Sequence, residues 1–505
     1  MSLLAVDMGS SSCKAVVFSE DGRLLAQSTY PYSAHSPRPG YAEMPPDKFW
    51  DALRDVICRA SADAKEKVAA LAISSHGETF IPVNAQQRPV GNAILNIDNR
   101  ATHETKEVAE MLGRKRIFEI TGLAAHTMYP IPKILWLRKH ESQAFSSTAR
   151  FLPLTSYLLI RLGLPAYVDF SLASRFLAFD VRKQRWSEEI LSAFGLKADQ
   201  FADAVPSGAV AGRLSATVAS DLGLPAGTLV AVGGHDQPCA ALGCGVLEPG
   251  RVSASFGTYE CLVAASALPA INDNALSANL NSYCHVVPER FVTLAYFPAG
   301  IMLEWLIHLL YPGSAASLSD LCSSLEAAVR EGPTGLCVTP HLMGTCNPDF
   351  DPHATGVILG LLPVSDRHDL YKAILEGIAC EFAAAADLLE LAVGPFQDVY
   401  VAGGGGRSPL GLRLRAGLSG RRLHRMQASE AVCLGTAILA GIAAGVYSDF
   451  HQAVRQLVVA TEIIHPSSDI AAQYHAQLDT YRLLYSSLAP VRTATAGLRS
   501  RGEIS

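Results

Sequence analysis

Two strand–turn–strand segments lie far apart in this chain, and they constrain its fold more than any other feature. Residues 3–18 (LLAVDMGSSSCKAVVF) and residues 252–266 (VSASFGTYECLVAAS) each contain an apolar run, a polar turn with glycine and a second apolar run. That pattern predicts a β-hairpin. Alternating strand and helix patterns follow both segments, beginning with a helix in PPDKFWDALRDVICRA. The sequence therefore predicts an α/β protein with two similarly organised halves and a cleft between them.

The length of the chain agrees with such a division. At 505 residues it exceeds what one hydrophobic core usually supports. The join between the halves is expected at residues 245–252, where the segment GVLEPGR supplies proline and glycine. We predict domains at residues 1–245 and 246–447, followed by a helical tail at 448–505.

The composition excludes several classes of protein. With 49% hydrophobic and 17% charged residues, the chain can bury large cores and does not resemble a disordered protein. Its formal charge of -6 argues against a partner that is a nucleic acid or an anionic membrane. A local phosphate site stays compatible with this charge, because backbone amides and helix ends bind anions.

Cysteine usage and the two most apolar segments predict a cytoplasmic protein. The eleven cysteines include no CxxC pair, which favours reduced thiols over a zinc knuckle or a disulfide framework. The N-terminus lacks the basic region of a signal peptide. The uncharged run at residues 431–447 is rich in alanine and glycine, which favours a buried helix over a membrane span.

Three glycine-containing turns are candidates for binding a nucleotide. The segment DMGSSSCK at Asp7–Lys14 could direct amides and hydroxyls at a phosphate, with Asp7 holding a metal ion, although an ordinary hairpin turn has the same residues. The segment SFGT at Ser255–Thr258 is a second turn of this type. The segment VAGGGGRSPL at Val401–Leu410 is either a packing turn or, as we prefer, a nucleotide loop. It fails the GxGxxG spacing, and the chain contains no GxxxxGK[ST].

Asp236 lies in GGHDQPCAALG, between an apolar strand and a helix whose first residue is expected to be Pro238. An aspartate before a helix is a common N-cap, and the helix dipole favours its ionised form. A metal ligand or a catalytic base also needs that ionised form. The local sequence leaves cap, ligand and base open.

Further polar side chains follow two other predicted strands. SSHGET places His76 and Glu78 at one strand end, and ILNIDNR places Asp98 and Arg100 after another apolar run. Ligands of α/β proteins gather at the carboxyl ends of strands, so these side chains could bind a polyol. A lone histidine is more often structural, and Asp98 and Arg100 could equally form a local ion pair.

Two longer segments resemble a known family. MYPIPKILWLRKH (Met128–His140) and GVILGLLPVSDRHDLYKAILE (Gly356–Glu376) are similar to the signatures of the FGGY carbohydrate kinases, which belong to the actin/hexokinase superfamily. Together with the turns described above, the resemblance covers about residues 3–447. It implies two RNase-H-like domains that flank a central cleft and close on ATP, Mg²⁺ and a sugar.

The resemblance also implies roles for individual residues. Asp236 matches the catalytic base, and Asp7 matches the residue that helps to hold Mg²⁺. The other residues fall in phosphate-binding turns (Ser10, Ser11, Lys14, Gly257 and Thr258), in the adenosine loop (Gly404 and Gly405) and around the sugar (His76, Asp98, Arg100 and Gln237).

Departures from the family pattern concern the sugar. The chain lacks the Arg-Glu pair expected of glycerol kinases, and SSHG is closer to the Met-His-Gly of xylulose kinases. His235 and Gln237 differ from the usual residues beside the base. We therefore expect an ATP-dependent kinase of a ketopentose, with ribulose, a sugar acid or another polyol as alternatives, and leave a homodimer open. Two rival functions are a nucleotide-gated binding protein and an NAD-dependent oxidoreductase. The sugar signatures argue against the binding protein, and the failed GxGxxG spacing argues against the oxidoreductase.

Overall fold

The structure, a computed structural model, describes residues 1–500, with side chains through residue 495. Residues 501–505 of the predicted tail therefore lie outside the described residues. No helix of the described part is long and apolar enough to cross a membrane.

The first half of the chain is built on a six-stranded sheet, called here the N-terminal sheet. Its first three strands form an antiparallel meander, two further strands add in parallel beside the first, and an antiparallel strand closes the edge. In sheet order the strands are Leu24–Pro31, Ser12–Ser19, Ser2–Met8, Val68–Ser75, Leu229–His235 and Val210–Arg213.

The second half repeats this topology in a seven-stranded sheet, called here the C-terminal sheet. Its meander again begins with the central strand, two parallel strands follow, and an antiparallel strand closes the edge. The extra strand pairs with the far end of the meander. In sheet order the strands are Asn281–Cys284, Phe291–Pro298, Tyr259–Ser266, Arg251–Phe256, Asp398–Ala402, Arg422–Met426 and Ala460–Ile464. The repeated strand order agrees with the predicted two-part α/β architecture.

Shorter strands complete the β-structure. A small four-stranded sheet contains Glu43–Met44, Ala93–Ile94, Phe80–Val83 and Arg150–Pro153, and three two-stranded ladders pair Phe179–Asp180 with Arg185–Trp186, Asp203–Val205 with Tyr167–Asp169, and Cys337–Thr339 with Val357–Leu359.

Helices surround both sheets. In the first half they span Pro46–Ala64, Thr102–Leu112, Arg114–Thr121, Pro130–His140, Ser142–Ser147, Leu154–Arg161, Phe170–Ser174, Glu188–Ala193, Ala216–Asp221 and Asp236–Gly243. In the second half they span Asp273–Ser277, Gly300–Leu310, Leu318–Glu326, Arg367–Val393, Pro409–Ser419, Ala431–Ala443, Phe450–Leu457, Ser468–Ser487 and Ala489–Ser500. The helix predicted in PPDKFWDALRDVICRA is confirmed: Phe49, Leu53, Val56, Ile57 and Ala60 form its buried face.

One helix crossing joins the two halves. The helix Ala431–Ala443, predicted as buried, packs on the helix Asp236–Gly243, and its Leu434 and Ile438 share a core with the N-terminal sheet. The crossing is close because glycines face each other. A Cβ atom on Gly435 would lie 1.9 Å from the carbonyl oxygen of Cys239, and one on Gly243 would lie 2.0 Å from that of Ala431. This crossing fixes where the helix that begins at Asp236 lies.

The tail packs on both halves: the helix Phe450–Leu457 adds Ala453 and Leu457 to the core shared with the N-terminal sheet, whereas the later elements join the second half. Ala460–Ile464 pairs with Arg422–Met426, a strand that the helical-tail prediction did not include. The helix Ser468–Ser487 then packs on the long helix Arg367–Val393, where the Tyr474 hydroxyl and the Gln477 amide bind the buried Glu376 carboxylate, each at 3.0 Å.

Candidate active site

Three parallel strands of the N-terminal sheet end side by side. Met8 and His235 both lie beside Ser75 in the register of the ladders. Because ligands of α/β sheets bind beyond the carboxyl ends of strands, the residues that follow these ends form the candidate site. The register brings Asp7, His76 and Asp236 to the same edge of the sheet, as the sequence predicts.

Asp236 is the first residue of its helix, and His235 occupies the N-cap position. The prediction of a helix beginning at Pro238 is therefore wrong by two residues. The Gln237 amide donates to Asp236 Oδ1 at 2.6 Å, and His235 Nε2 lies 3.1 Å from the same oxygen. Within the described residues Oδ2 accepts no hydrogen bond, and the side chain is 21% exposed. One carboxylate oxygen is thus held by the protein, and the other is open.

The expected ionisation of Asp236 is not what its surroundings favour. The pKa of this carboxyl is raised well above its usual value, first by burial and then by the charges of Asp7 and Glu78. The Gln237 amide and Arg175 act in the opposite direction and are weaker. The helix start therefore does not decide the charge state of Asp236; the buried, acidic surroundings do.

Asp7 lies at the end of the central strand, opposite Lys14 across the hairpin. The Ser74 hydroxyl donates to its Oδ1 at 3.1 Å. Burial raises the pKa of the Asp7 carboxyl to about 6, although Ser74 and Lys14 oppose that shift. A partly buried carboxylate with so few cationic neighbours is suited to receive a cation.

The first turn, Gly9–Ser12, exposes Ser10 and Ser11 while its backbone is held firmly. The Gly9 amide donates to the Ser12 carbonyl at 3.0 Å, and the Tyr32 hydroxyl donates to the Gly9 carbonyl at 2.6 Å. The Lys14 side chain is already engaged in an ion pair. Its ammonium binds Glu430 of the second half at 2.6 Å, so it forms an ion pair between the two halves.

The second turn, Gly257–Thr258, is likewise exposed and lies on the helix Gly300–Leu310. The Gly300 amide donates to the Gly257 carbonyl, and the Ala299 amide to the Thr258 carbonyl, both at 3.1 Å. A Cβ on Gly300 would lie 2.5 Å from the Gly257 carbonyl, so glycine is needed for this contact. The structure thus gives each half one exposed turn that contains glycine.

The four-glycine loop contains both packing glycines and an open one. Gly403 has φ +96°, and a Cβ there would lie 2.6 Å from the Phe256 carbonyl; a Cβ on Gly405 would lie 2.8 Å from Phe256 Cβ. Gly404 is exposed, and a Cβ there would have no atom within 4 Å. The packing role and an exposed ligand-facing role therefore fall on different glycines.

The substitutions Gly403→Ala and Gly404→Ala form a matched pair at this loop. We expect Gly403→Ala to lower the melting temperature, because it combines a positive φ with a backbone clash. Gly404→Ala should leave the melting temperature unchanged but weaken ATP binding if adenosine packs on this loop. Thermal denaturation and ATP titration of both variants measure this difference. Equal melting temperatures for the two variants would contradict it.

His76 is buried, and the protein itself occupies both of its ring nitrogens. Nδ1 lies 2.8 Å from the Met8 carbonyl, and Nε2 lies 2.7 Å from the Thr79 hydroxyl. Burial lowers the pKa of His76, so the ring is neutral. The histidine ties the phosphate-turn strand to the loop that follows the next strand. Its predicted contact with the sugar stays a prediction.

Asp98 and Arg100 form the ion pair that the sequence allowed as an alternative. The guanidinium contacts both Asp98 oxygens at 2.8–3.0 Å and Glu43 at 2.6 Å, and it stacks on Tyr41 at 4.1 Å. The Ala42 amide also donates to Asp98. Nearby, the buried Lys133 ammonium binds the carbonyls of Leu95 and Met128 at 2.6 and 2.8 Å. The pair therefore stabilises a loop, and its predicted contact with the sugar stays untested.

Three further residues beside Asp236 carry no clear signal in the sequence. Arg175 Nε donates to Glu78 Oε1 at 2.5 Å, and its guanidinium lies 4.8 Å from the Tyr283 ring of the C-terminal sheet. Glu78 has a positive φ of 63°, which is uncommon outside glycine. Glu78 does follow a predicted strand end. Arg175 and Tyr283 become neighbours only through the tertiary fold.

A cavity of about 510 Å³ lies away from this edge. It is bordered by His341, Glu381, Tyr481 and Tyr485, between the long helix Arg367–Val393 and the tail helix. It contains none of the predicted site residues. The strand ends, rather than this cavity, locate the candidate active site.

Comparison with known families gives two matches that together cover most of the chain. The model of the N-terminal domain of the FGGY family of carbohydrate kinases matches residues 2–243, and that of the C-terminal domain matches residues 252–444.

Individual relatives carry several substrate names. The chain is 29% identical to the xylulose kinase of Escherichia coli (strain K12), over 97% of this chain and 99% of the relative. It is 30% identical to the glycerol kinase of Citrifermentans bemidjiense, over 88% and 90%. Among solved structures, the gluconate kinase of Lactobacillus acidophilus superposes with a TM-score of 0.87 at 22% identity, over 97% and 98%. This similarity confirms the predicted fold class.

Proposed function

The chain belongs to the FGGY family of carbohydrate kinases and is an ATP-dependent sugar phosphotransferase, and on this premise we propose that it phosphorylates a hydroxyl of a ketopentose or related neutral polyol, with Asp236 as the catalytic base. The observation that carries the proposal is the open carboxylate oxygen of Asp236, at the edge where three parallel strands end.

The environment of Asp236 suits a general base. A base works best when its pKa lies near the working pH, and burial with two neighbouring carboxylates raises the pKa of Asp236 towards that range. Oδ1 is held by the Gln237 amide, so Oδ2 can accept the proton of a sugar hydroxyl. Phosphoryl transfer depends on alignment and charge neutralisation more than on covalent chemistry, which fits a carboxylate fixed at a helix start.

The nucleotide would lie between the two exposed turns. Ser10 and Ser11 of the first turn, with Gly257 and Thr258 of the second, offer hydroxyls and amides from both halves. Gly404 would face the adenosine, and Gly405, which packs on Phe256, would shape the same loop. Lys14 is positioned to contact a phosphate once it leaves Glu430.

The residues present fit a magnesium ion. Mg²⁺ in nucleotide sites uses one or two carboxylates together with water and phosphate oxygens, and Asp7 is a partly buried carboxylate with one oxygen on Ser74. When bound, the ion would neutralise charge on the transferring phosphate. Asp7 would hold it, and the turn amides would share the remaining charge.

The sugar subsite favours a neutral substrate. Arg175 is the cation that acts on Asp236, and Glu78 already balances its charge at 2.5 Å, so this region offers an anionic sugar no net attraction. His76 and the Asp98–Arg100 pair would act on the sugar by fixing the loops that border it, and Gln237 lies next to the base. The xylulose kinase name of a relative and the SSHG segment both support a ketopentose.

A substrate panel tests this proposal. With Mg²⁺ and ATP, xylulose or ribulose should stimulate ADP release more strongly than gluconate, since Glu78 already balances the Arg175 charge that could attract the carboxylate of gluconate. Glycerol is the neutral control, and release without sugar gives the background. Stimulation by gluconate above that by every neutral sugar would contradict the neutral-sugar assignment, and no stimulation by any sugar would contradict the proposed function.

A further inference from the structure

His235 contacts residues of both halves of the chain through its backbone and its ring. Its backbone amide donates to the Ser171 hydroxyl at 2.9 Å. Its ring is buried, with Nε2 3.1 Å from Asp236 Oδ1 and Nδ1 2.8 Å from the hydroxyl of Tyr283. A Cβ on Gly77 would lie 3.0 Å from Nε2, so the ring takes the space that glycine leaves free. The three side chains form a continuous polar chain from Tyr283 to Asp236.

The position of the protons along this chain follows from the contacts. Burial lowers the pKa of His235 well below its usual value, so the imidazole is neutral and carries one N–H. Burial also raises the pKa of Tyr283, so its hydroxyl keeps its proton and can donate to Nδ1. The N–H then lies on Nε2 and faces the carboxylate. In the ionised form of Asp236 that a base requires, the other tautomer would place the Nε2 lone pair against Oδ1, which is repulsive.

We propose that Tyr283 and His235 are positioning residues for Asp236: the Tyr283 hydroxyl fixes the tautomer of His235, and the Nε2–H of His235 holds Oδ1, so that Oδ2 is left to accept the proton of the substrate. This inference rests on the proposed function, in which Asp236 is the base. In many enzymes a catalytic base is likewise oriented by a further group that binds it.

Tyr283 makes this positioning depend on both halves of the chain. It lies on Asn281–Cys284, the edge strand of the C-terminal sheet, whereas His235 ends a strand of the N-terminal sheet. Arg175 lies over the Tyr283 ring and binds Glu78 at the same time. The contact between His235 and Oδ1 is therefore fixed from both sheets. Movement of one half would loosen His235 and leave the Gln237 amide as the remaining donor to Oδ1.

Charged and titratable groups around the chain come from several elements. Those facing Asp236 are Asp7, Glu78 and Arg175; those facing His235 are Arg175 and His76; those facing Tyr283 are Arg175, Cys261, Asp236 and Glu78. Tyr283→Phe changes the charge of none of them.

The test is a double-mutant cycle of Tyr283→Phe and His235→Ala, measured with the sugar that stimulates ADP release most. Tyr283→Phe should lower kcat by about 10-fold with an unchanged KM for ATP, the size expected for the loss of one intramolecular hydrogen bond. It should also move the acid limb of kcat to higher pH, because a donor to the carboxylate lowers its pKa. In the His235→Ala background, Tyr283→Phe should have no further effect on kcat.

Tyr129→Phe is the matched control. It removes a second buried hydroxyl near Arg175, one that binds Asn281 at 3.0 Å and does not touch His235, so the acid limb should stay in place. The proposal would be overturned if Tyr283→Phe lowered kcat equally in the parent protein and in His235→Ala, or if it left the acid limb of kcat in place. Either result counts against the positioning role alone as long as Asp236→Asn is inactive. An active Asp236→Asn would instead overturn the proposed function. ADP-induced thermal stabilisation of each variant confirms that it is folded.

Discussion

Replacing Asp236 with asparagine is expected to lower kcat by about 1,000-fold and to leave ADP binding intact. General-base catalysis contributes about 10²- to 10⁴-fold, and asparagine keeps the shape of the side chain without a basic oxygen. The hydrogen bond from the Gln237 amide to Oδ1 can persist, because the asparagine side chain also offers an acceptor. The nucleotide turns lie on other elements and should be unaffected. Sugar-stimulated ADP release measures the first effect, and ADP titration the second.

Asp180→Asn is the matched control for this substitution. Asp180 is also a largely buried aspartate of the first half, and it accepts the backbone amides of Arg182 and Lys183 away from the strand ends. Its replacement should leave kcat within about twofold, as expected for a change remote from the chemistry. Sugar-dependent turnover retained by Asp236→Asn would remove Asp236 from the role of base.

Gly435→Ala is expected to destabilise the protein by about 2 kcal/mol and to lower kcat. Alanine is a better helix former than glycine by about 1 kcal/mol, so an open position would gain stability. Here the added Cβ would lie 1.9 Å from the Cys239 carbonyl, and such overpacking costs about 1–3 kcal/mol or more. The two helices would have to separate. Because Asp236 begins one of them, the base would move with it.

Chemical denaturation and sugar-dependent kinetics measure the two effects of Gly435→Ala. Gly91→Ala is the control, because a Cβ on Gly91 would have no atom within 4 Å and no positive φ is involved. Its free energy of unfolding should stay within about 0.5 kcal/mol of the parent value. A Gly435→Ala variant as stable as Gly91→Ala would show that the crossing has room to adjust.

Local patterns were sufficient to predict both hairpins and the helices Pro46–Ala64 and Ala431–Ala443. Apolar alternation and helical periodicity depend on neighbouring residues, so both central strands and the helix Pro46–Ala64 agree with the sequence. The start of the Asp236 helix was misplaced because proline was assigned to the first helical position. Proline has no amide to satisfy anywhere in a first turn, so Asp236 and Gln237 can precede Pro238 within the helix.

The electrostatics of the site could not be derived from local sequence. The helix start suggests an ionised Asp236, but its pKa depends on burial and on Asp7 and Glu78, which the chain brings in from distant strands. Arg175 binds a carboxylate 97 residues away, and Tyr283 contacts a histidine 48 residues away. A motif search sees neither pair. The Asp98–Arg100 pair, by contrast, spans two residues and was foreseen as an alternative.

The last strand of the C-terminal sheet affects the chain during its synthesis and when the chain is truncated. Ala460–Ile464 covers the edge of Arg422–Met426, and it is synthesised after everything else in that sheet. A ribosome-bound chain, or a product of premature termination before residue 460, would therefore present an open strand edge. Unpaired edges template association with other chains. Nonsense variants that end the chain shortly before residue 460 should accordingly be lost through aggregation and proteolysis, although every proposed catalytic residue is already in place.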